Sequence, residues 1–577
     1  MTDDRKESKL EVAKRTSRYL RGGIEQTLQS GASHFDGDDA QLLKFHGTYQ
    51  QDDRDARRAR RAQGLEKDYQ FMVRVAIPAG ALTGDQYLVL DDLADRFGRG
   101  SLRVTTRQGF QFHGVTKDNL KPTIAEINQT LLTTLAACGD VQRNVMASPA
   151  PFVSTPYQTV RRVAREIALA FRPRSNAYHE IWLDGQRVDP ATESEPLYGA
   201  QYLPRKFKTG VTVPHDNAID IYSYDLGLIA LFDDHEQLEG FNVLVGGGMG
   251  MTHKKPDTFA KLAEPLGFVG PHSALDTVRT AITLFRDHGN RADRRHARLK
   301  YLITEWGMDR FKSEFQSRAP MPVLPWRPLE APGYDDYLGP HQQGDGRLFY
   351  GLYIENGRIV DRDVARIKTA LRTIVQTLHC NLTLTPNQNV LLRDLQPDAV
   401  ARLESILDDH KVPRHDTLSA ARRYAMACPA LPTCGLAITE SERIMPSVLD
   451  RLEQQLARMG VSDVPLTIRM TGCPNGCARP YTADIAFVGR AADLYNIHVG
   501  GGLSGDRMAD CYADDVHTDD LIATLRPLLE AWATHRHDGE GLGDFYQRIM
   551  QTTRPRIVIT GRENPTRSIV ELKVLNR

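Results

Sequence analysis

Two pairs of cysteines are the first residues whose spacing could do chemistry. In Ala427-Cys428-Pro429-Ala430-Leu431-Pro432-Thr433-Cys434 and Thr471-Gly472-Cys473-Pro474-Asn475-Gly476-Cys477, five and three residues separate the thiols. Four thiolates can close a tetrahedral zinc site, but structural zinc commonly sits on tighter C-x₂-C knuckles. Proline and glycine inside both loops suit a backbone that wraps a bulkier inorganic core and turns amide N–H groups toward its sulfides. Spacing alone favours an iron–sulfur cluster and leaves zinc open. The other three of the seven cysteines, Cys138, Cys380 and Cys511, stand alone and read as buried packing residues.

The second chemical feature is cationic. If 101–114 is one strand, its side chains alternate between faces, with Leu102, Val104, Phe110 and Phe112 on a core face. Arg103, Thr105, Arg107, Gln111 and His113 then share the other face, for which solvent exposure is the plain alternative. Lys206 and Lys208 are two apart on another expected strand and project together. Like charges held side by side cost energy unless an anion sits between them.

The elements that must position these residues occur twice. A strand at 71–77 ends at Pro78 and Gly80, Thr83 caps a helix with Tyr87, Leu90, Ala94 and Phe97 on one face, and the 101–114 strand follows. The same order returns as a strand at 348–354, a helical stripe of Val364, Ile367, Leu371, Ile374 and Leu378, and a strand at 381–392. Leu102-Arg103-Val104-Thr105-Thr106-Arg107-Gln108 aligns with Leu382-Thr383-Leu384-Thr385-Pro386-Asn387-Gln388, and Phe241-Asn242-Val243-Leu244-Val245-Gly246-Gly247-Gly248 with Tyr495-Asn496-Ile497-His498-Val499-Gly500-Gly501-Gly502. Both matches in one order indicate duplication, and two facing halves offer a cleft for a large cofactor. Arg103 and Arg107 become Thr383 and Asn387, so positive charge is kept on one half only. The Gly246–Gly250 run lacks the G-x-G-x-x-G spacing and reads as a tight turn. No nucleotide loop or flavin domain is apparent, so electrons are expected from another protein.

The 577 residues exceed one compact core and predict two to four domains. Lys+Arg and Asp+Glu balance at 73 each, which argues against a dedicated nucleic-acid binder. The arginines of 54–61 are interleaved with acids and read as a solvated or docking helix face rather than an RNA arm. The first residues carry no apolar core of a secretory signal and no run is long enough to span a membrane, so a cytoplasmic protein is expected.

Further motifs surround these features. Thr471-Gly472-Cys473-x₃-Cys477 precedes Asp484-Ile485-Ala486-Phe487; Asp484 itself reads as a brace for the loop backbone rather than a catalytic acid. Phe45-His46-Gly47-x-Tyr49-Gln50-Gln51-Asp52-Asp53-Arg54-Asp55, Thr106-Arg107-Gln108-x-Phe110-Gln111-Phe112-His113-Gly114, Arg143-Asn144-Val145 and Tyr202-Leu203-Pro204-Arg205-Lys206-Phe207-Lys208 accompany it. Together, over about 15–550, they resemble the siroheme-dependent sulfite and nitrite reductases, the bacterial hemoprotein (β) type above all. The resemblance implies an α+β fold, internally duplicated. Two ferredoxin-like half-domains (71–136 and 341–413) would accompany two siroheme/[4Fe-4S]-binding α/β domains (137–340 and 414–577) with pseudo-two-fold symmetry, behind a polar arm at 1–70.

The same resemblance implies that Cys428, Cys434, Cys473 and Cys477 bind one [4Fe-4S] cluster, with Cys477 also the proximal ligand of siroheme iron. It places Arg103, Arg107 and Gln111 around the acidic macrocycle, and Lys300, Gln388 and Asn475 beside the cofactors. Arg74, Arg143, Lys206 and Lys208 would form the distal pocket for sulfite. The implied activity is six-electron reduction of sulfite to sulfide, fed by an NADPH-dependent flavoprotein (α) subunit or, alternatively, by ferredoxin. Assimilatory nitrite reduction is the alternative within the family, and a zinc-stabilised binding protein without redox chemistry the alternative outside it. Ala147 and Ser148 stand where close relatives often carry cysteine and threonine.

Overall fold

The computed structural model describes residues 7–553 apart from 176, 178–180, 184, 185, 189–194 and 330–332. The opening residues read for a secretory signal thus lie mostly outside the described ones. Two compact units are present, 1–418 with 432–435, and 419–431 with 436–577.

In the first unit, two five-stranded sheets carry the ferredoxin-like repeat. One runs Thr48–Asp52, Tyr69–Arg74, Phe110–Val115, Leu102–Val104 and Arg358–Ile359; the other runs Gly339–Gln342, Leu348–Leu352, Val390–Leu395, Asn381–Leu384 and Ala81–Leu82. Each sheet takes its last strand from the other repeat, Arg358 pairing with Arg103 and Leu82 with Leu382. The exchange is made by matching turns, Pro78–Gly80 and Glu355–Gly357, with Ala79 and Asn356 both in the left-handed region. Behind the first sheet lies the helix Gly84–Phe97, started by a capping box in which Thr83 and Gln86 satisfy each other's backbone N–H. Its counterpart is Ile367–Leu378; Val364 is 79% exposed and lies before that helix, so it does not belong to the expected stripe.

The expected single strands 101–114 and 381–392 are each a hairpin. Gln108 and Gln388 have φ of 50° and 69°, which reverses the chain. The Thr105 hydroxyl accepts from the N–H of Gly109 at 3.2 Å, and the Thr385 hydroxyl from Asn389 at 3.0 Å. The reading by faces survives because Leu102 pairs with Phe112 and Arg103 with Gln111, and directly opposed residues share a face. Arg107 lies in the turn rather than on the strand face.

The α/β repeat is split between the units. In the first, Met146–Ala147, Thr209–Thr212, Leu226–Phe232, Leu238–Val245 and Glu264–Val269 form one sheet; in the second, Ala425–Ala427, Ile468–Thr471, Ile485–Ala491, Leu494–Val499 and Asp510–His517 form another. Both begin with three parallel strands and finish antiparallel. A four-residue strand, an eight-residue loop and a short 3₁₀ turn recur in both: Thr209–Thr212, 213–220 and Ile221–Ser223 against Ile468–Thr471, 472–479 and Pro480–Thr482. By this register Cys473 and Cys477 stand where the first unit has Pro214 and Ala218, and Cys428 where it has Ser148. The glycine runs are turns packed against backbone: a Cβ on Gly247 would lie 2.3 Å from the Tyr222 carbonyl, and one on Gly501 2.3 Å from that of Thr482.

Candidate active site

In the first unit, the hairpin and its neighbours gather the cations. Arg74 ends its strand opposite Gln111, whose amide oxygen, in the orientation that satisfies both groups, accepts from Arg74 Nη2 at 2.5 Å and Nε at 3.1 Å. Arg103, 2% exposed, is flanked by Gln111 and Arg358 in the sheet. Arg107 donates to the Asn144 carbonyl and lies over the Tyr224 ring at 5.3 Å. Burial, then Arg143 and Arg74, bring its pKa down to about 10 against the partial relief of Tyr224.

Arg143 is held from both ends, its N–H donating to the Phe207 carbonyl at 2.9 Å and its Nε to that of Gly139 at 3.0 Å. The Phe207 N–H donates to Val141 at 3.0 Å, so 141–143 and the 206–208 segment run alongside each other through a single bridge instead of a full strand. Phe207 points into the core, and Lys206 and Lys208 flank it. Burial lowers both lysines well below the usual value. For Lys206 the next influences are all positive: Lys208, Arg143, Arg298 and Arg205. For Lys208, Arg107 and Arg298 push down, and Asp225 is the opposing carboxylate.

Asp225 was not singled out by sequence. It accepts from the Lys208 N–H at 3.0 Å and from Arg298 at 2.8–3.0 Å in a buried ion pair. Its repeat partner is Asp484, which accepts from the N–H and hydroxyl of Thr467 at 2.9 and 2.5 Å and from the Gly543 N–H at 2.9 Å. An aspartate directly before the first strand of the hairpin that ends in each glycine run was the available signal. Asp484 thus braces the strand start at Thr467 and the Gly543 N–H rather than the cysteine-loop backbone expected of it, and it hydrogen-bonds no thiol among the described residues.

Lys300 is fully buried and donates to the carbonyls of Gly248 at 3.0 Å, Gly250 at 2.9 Å and Phe259. Burial draws its pKa down to about 7. Gln388 is also fully buried, in the turn whose neighbour Asn387 has both amide atoms buried with no hydrogen-bond partner among the described residues. Arg107 Nη1 and both ring nitrogens of His113 are in the same condition.

In the second unit, Cys428 and Cys473 are buried and Cys477 is exposed. The Gly472 N–H points at Cys428 Sγ at 3.4 Å, and Asn475 Nδ2 at Cys473 Sγ at 3.4 Å. A Cβ on Gly472 would sit 2.5 Å from the Thr439 carbonyl and 2.7 Å from the Ala430 Cβ, so the loop closes only around glycine. Fully buried Arg469 braces the loop's far end, donating to the Arg479 carbonyl and the Thr482 hydroxyl, both at 2.8 Å. Cys434 belongs to the first unit, where Arg54 Nη1 donates to its carbonyl at 3.1 Å. Of the isolated cysteines Cys138 and Cys380 are buried; Cys511 is exposed on the edge strand Asp510–His517 and is not the packing residue expected.

These donor sets fit the two groups the sequence suggested. Sulfur atoms approached by N–H donors suit an iron–sulfur core. A buried guanidinium nitrogen and a buried amide lacking partners, beside closely set cations, suit an acidic macrocycle bearing carboxylates.

The family description "Nitrite and sulphite reductase 4Fe-4S domain" matches residues 163–323 and 419–550, and "Nitrite/Sulfite reductase ferredoxin-like half domain" matches 63–130 and 340–410. The chain is 47% identical over 561 residues to the sulfite reductase (ferredoxin) of Synechococcus elongatus, covering 94% of this chain and 89% of that protein. It is 45% identical over 545 residues to the sulfite reductase (NADPH) hemoprotein beta-component of a Paenibacillus species, covering 94% and 95%. The solved NirA protein of Mycobacterium tuberculosis shares the fold, with a TM-score of 0.76 at 24% identity over 93% of this chain and 95% of that one. No described helix is long and apolar enough to cross a membrane. The chain therefore belongs to the nitrite and sulphite reductase family and is an oxidoreductase of the siroheme and [4Fe-4S] type.

Proposed function

We propose that the protein reduces sulfite to sulfide in the cytoplasm, at a pocket made by Arg74, Arg143, Lys206 and Lys208. The observation that carries this is the bridge that ties the Arg143 strip to the Lys206–Lys208 segment, setting half-buried Lys206 beside Lys208, Arg143, Arg298 and Arg205, an arrangement that an oxyanion relieves. When bound, siroheme and the [4Fe-4S] cluster supply the electrons one at a time. Cys428, Cys434, Cys473 and Cys477 would hold the cluster, with Asn475 supporting Cys473 and Cys477 shared with the heme iron. Arg103, Arg107, Gln111, Lys300 and Gln388 would surround the macrocycle, guanidinium forks taking carboxylates.

The pocket residues bind and orient the anion and hold protons for the oxygens that leave as water. Guanidinium groups stay charged and fix oxygens in place. Lys206 Nζ and Lys208 Nζ, with proton affinity lowered by burial, give up a proton more readily than an exposed lysine. The relatives' names give ferredoxin for some and NADPH for others, and the electron donor proposed here is an NADPH-dependent flavoprotein subunit or, alternatively, ferredoxin. Lys206→Ala and Arg143→Ala tested with sulfite and a chemical reductant check the reading. Sulfide formation should fall by about a hundredfold or more while heme and iron content stay near wild type. Undiminished turnover in these variants would rule out the pocket.

A further inference from the structure

The segment that delivers Lys206 is gripped from outside the pocket. Three successive carbonyls each receive a different cation: Tyr202 takes Arg291 Nη2 at 2.8 Å, Leu203 takes Lys14 Nζ at 2.8 Å, and Pro204 takes Arg294 Nη1 at 3.4 Å. Next in sequence come Arg205 and Lys206. The strip carrying Arg143 is tied to the same point, because the Asp140 carbonyl accepts from the Leu203 N–H at 3.0 Å. The Asp140 carboxylate binds Arg294 at 2.7 and 3.0 Å, with Lys14 at 3.6 Å and Arg205 at 3.9 Å.

Lys14 is in the N-terminal helix Lys9–Thr16, distant in sequence from Asp140 and Leu203. It is fully buried, paired with Glu11 on its own helix and reaching Asp140 and Leu203 beyond it. Glu11, 1% exposed, in turn pairs with Arg291. Side-chain entropy and desolvation both oppose burying a lysine, so such a residue persists where its contacts over-determine it. Surface anchoring of an N-terminal helix needs no buried ammonium between two strips of active-site backbone.

We infer that Lys14 is a positioning residue for the anion pocket: by joining Asp140 and the Leu203 carbonyl it sets the register between the strips that carry Arg143 and Lys206. The N-terminal helix is then part of the catalytic body. This rests on the pocket reading above. A shift of Lys206 against Arg143 spoils the joint grip on an anion more than it alters electron delivery, so the effect belongs in binding and KM.

The test titrates sulfite into the holoenzyme, followed by the visible heme bands, alongside steady-state turnover. Lys14→Met should raise both Kd and KM for sulfite by about tenfold, with kcat changed by no more than about threefold. Lys14→Arg, which keeps the charge, should recover part of the affinity. Glu11→Gln, a milder loosening of the same network, gives an intermediate Kd and serves if Lys14→Met does not fold. Wild-type Kd and KM in Lys14→Met or Glu11→Gln with only a lower Tm would overturn the inference. Lys206→Ala separates the two readings. If it weakens sulfite binding and the Lys14 and Glu11 variants do not, this inference alone fails. If Lys206→Ala leaves Kd unchanged, the pocket reading fails and this inference with it.

Discussion

Lys206, Lys208 and Arg143 illustrate how little an isolated residue says. Each alone is an ordinary cation; set close together and partly out of solvent, with Asp225 engaged by Arg298 and the Lys208 N–H, they make the arrangement on which the proposed anion pocket rests. Asp140 has the opposite problem. Burial would raise its carboxyl, but Arg294, Lys14 and Arg205 outweigh burial and hold it well below the usual carboxylate range. A carboxyl depressed in this way contributes stability at pH values above its unfolded pKa of about 3.9 and loses it as pH falls toward the folded value. Asp140→Asn should therefore destabilise by about 3–5 kcal/mol at neutral pH, where buried cations lose their partner. The gap to wild type should close below about pH 4, as seen in thermal unfolding across pH. A constant gap across that range would mean that the charge is not what matters. If Cys477 is the shared thiolate of the proposal, Cys477→Ser should abolish sulfite turnover and change the visible spectrum; unchanged spectra would exclude it as a shared ligand.

Among the elements, the duplicated α/β motif shows one scaffold with two fates. The loop 213–220 is closed by protein hydrogen bonds, the Asp216 carboxylate accepting from the Ala218 N–H and the Tyr337 hydroxyl at 2.8 Å each. The matching loop 472–479 presents cysteines instead, with Gly472 wedged against Thr439 and Ala430. Gly472→Ala should accordingly lower iron and acid-labile sulfide content before it unfolds the second unit, at a cost of about 1–3 kcal/mol for the overpacking. Full cluster content in that variant would show that the loop can yield. The strand readings at 101–114 and 381–392 failed at this scale for a definite reason. Apolar alternation continues through a hairpin when opposed residues share a face, and only the left-handed Gln108 and Gln388 mark the reversal. Neither residue type announces such a conformation. The Thr83 cap was legible because capping is local chemistry.

At the scale of the whole chain, the duplication and the cysteine loops could be read from sequence because repeats and spacings are linear. The exchange of Ala81–Leu82 and Arg358–Ile359 between sheets could not, since two-residue strands leave no periodic trace. The same holds for Lys14, Asp140 and Arg294, whose meaning depends on contacts across more than a hundred residues of chain. The proposed function needs both the legible cysteines and the cationic residues. Electron accounting during sulfite turnover by the purified holoenzyme, with a chemical reductant and sulfide measured together, tests that directly. The account predicts six reducing equivalents consumed for each sulfide formed, the six-electron reaction carried to completion. Reductant consumed without sulfide, or no visible cofactor bands in a protein that fails to act on sulfite, would contradict it.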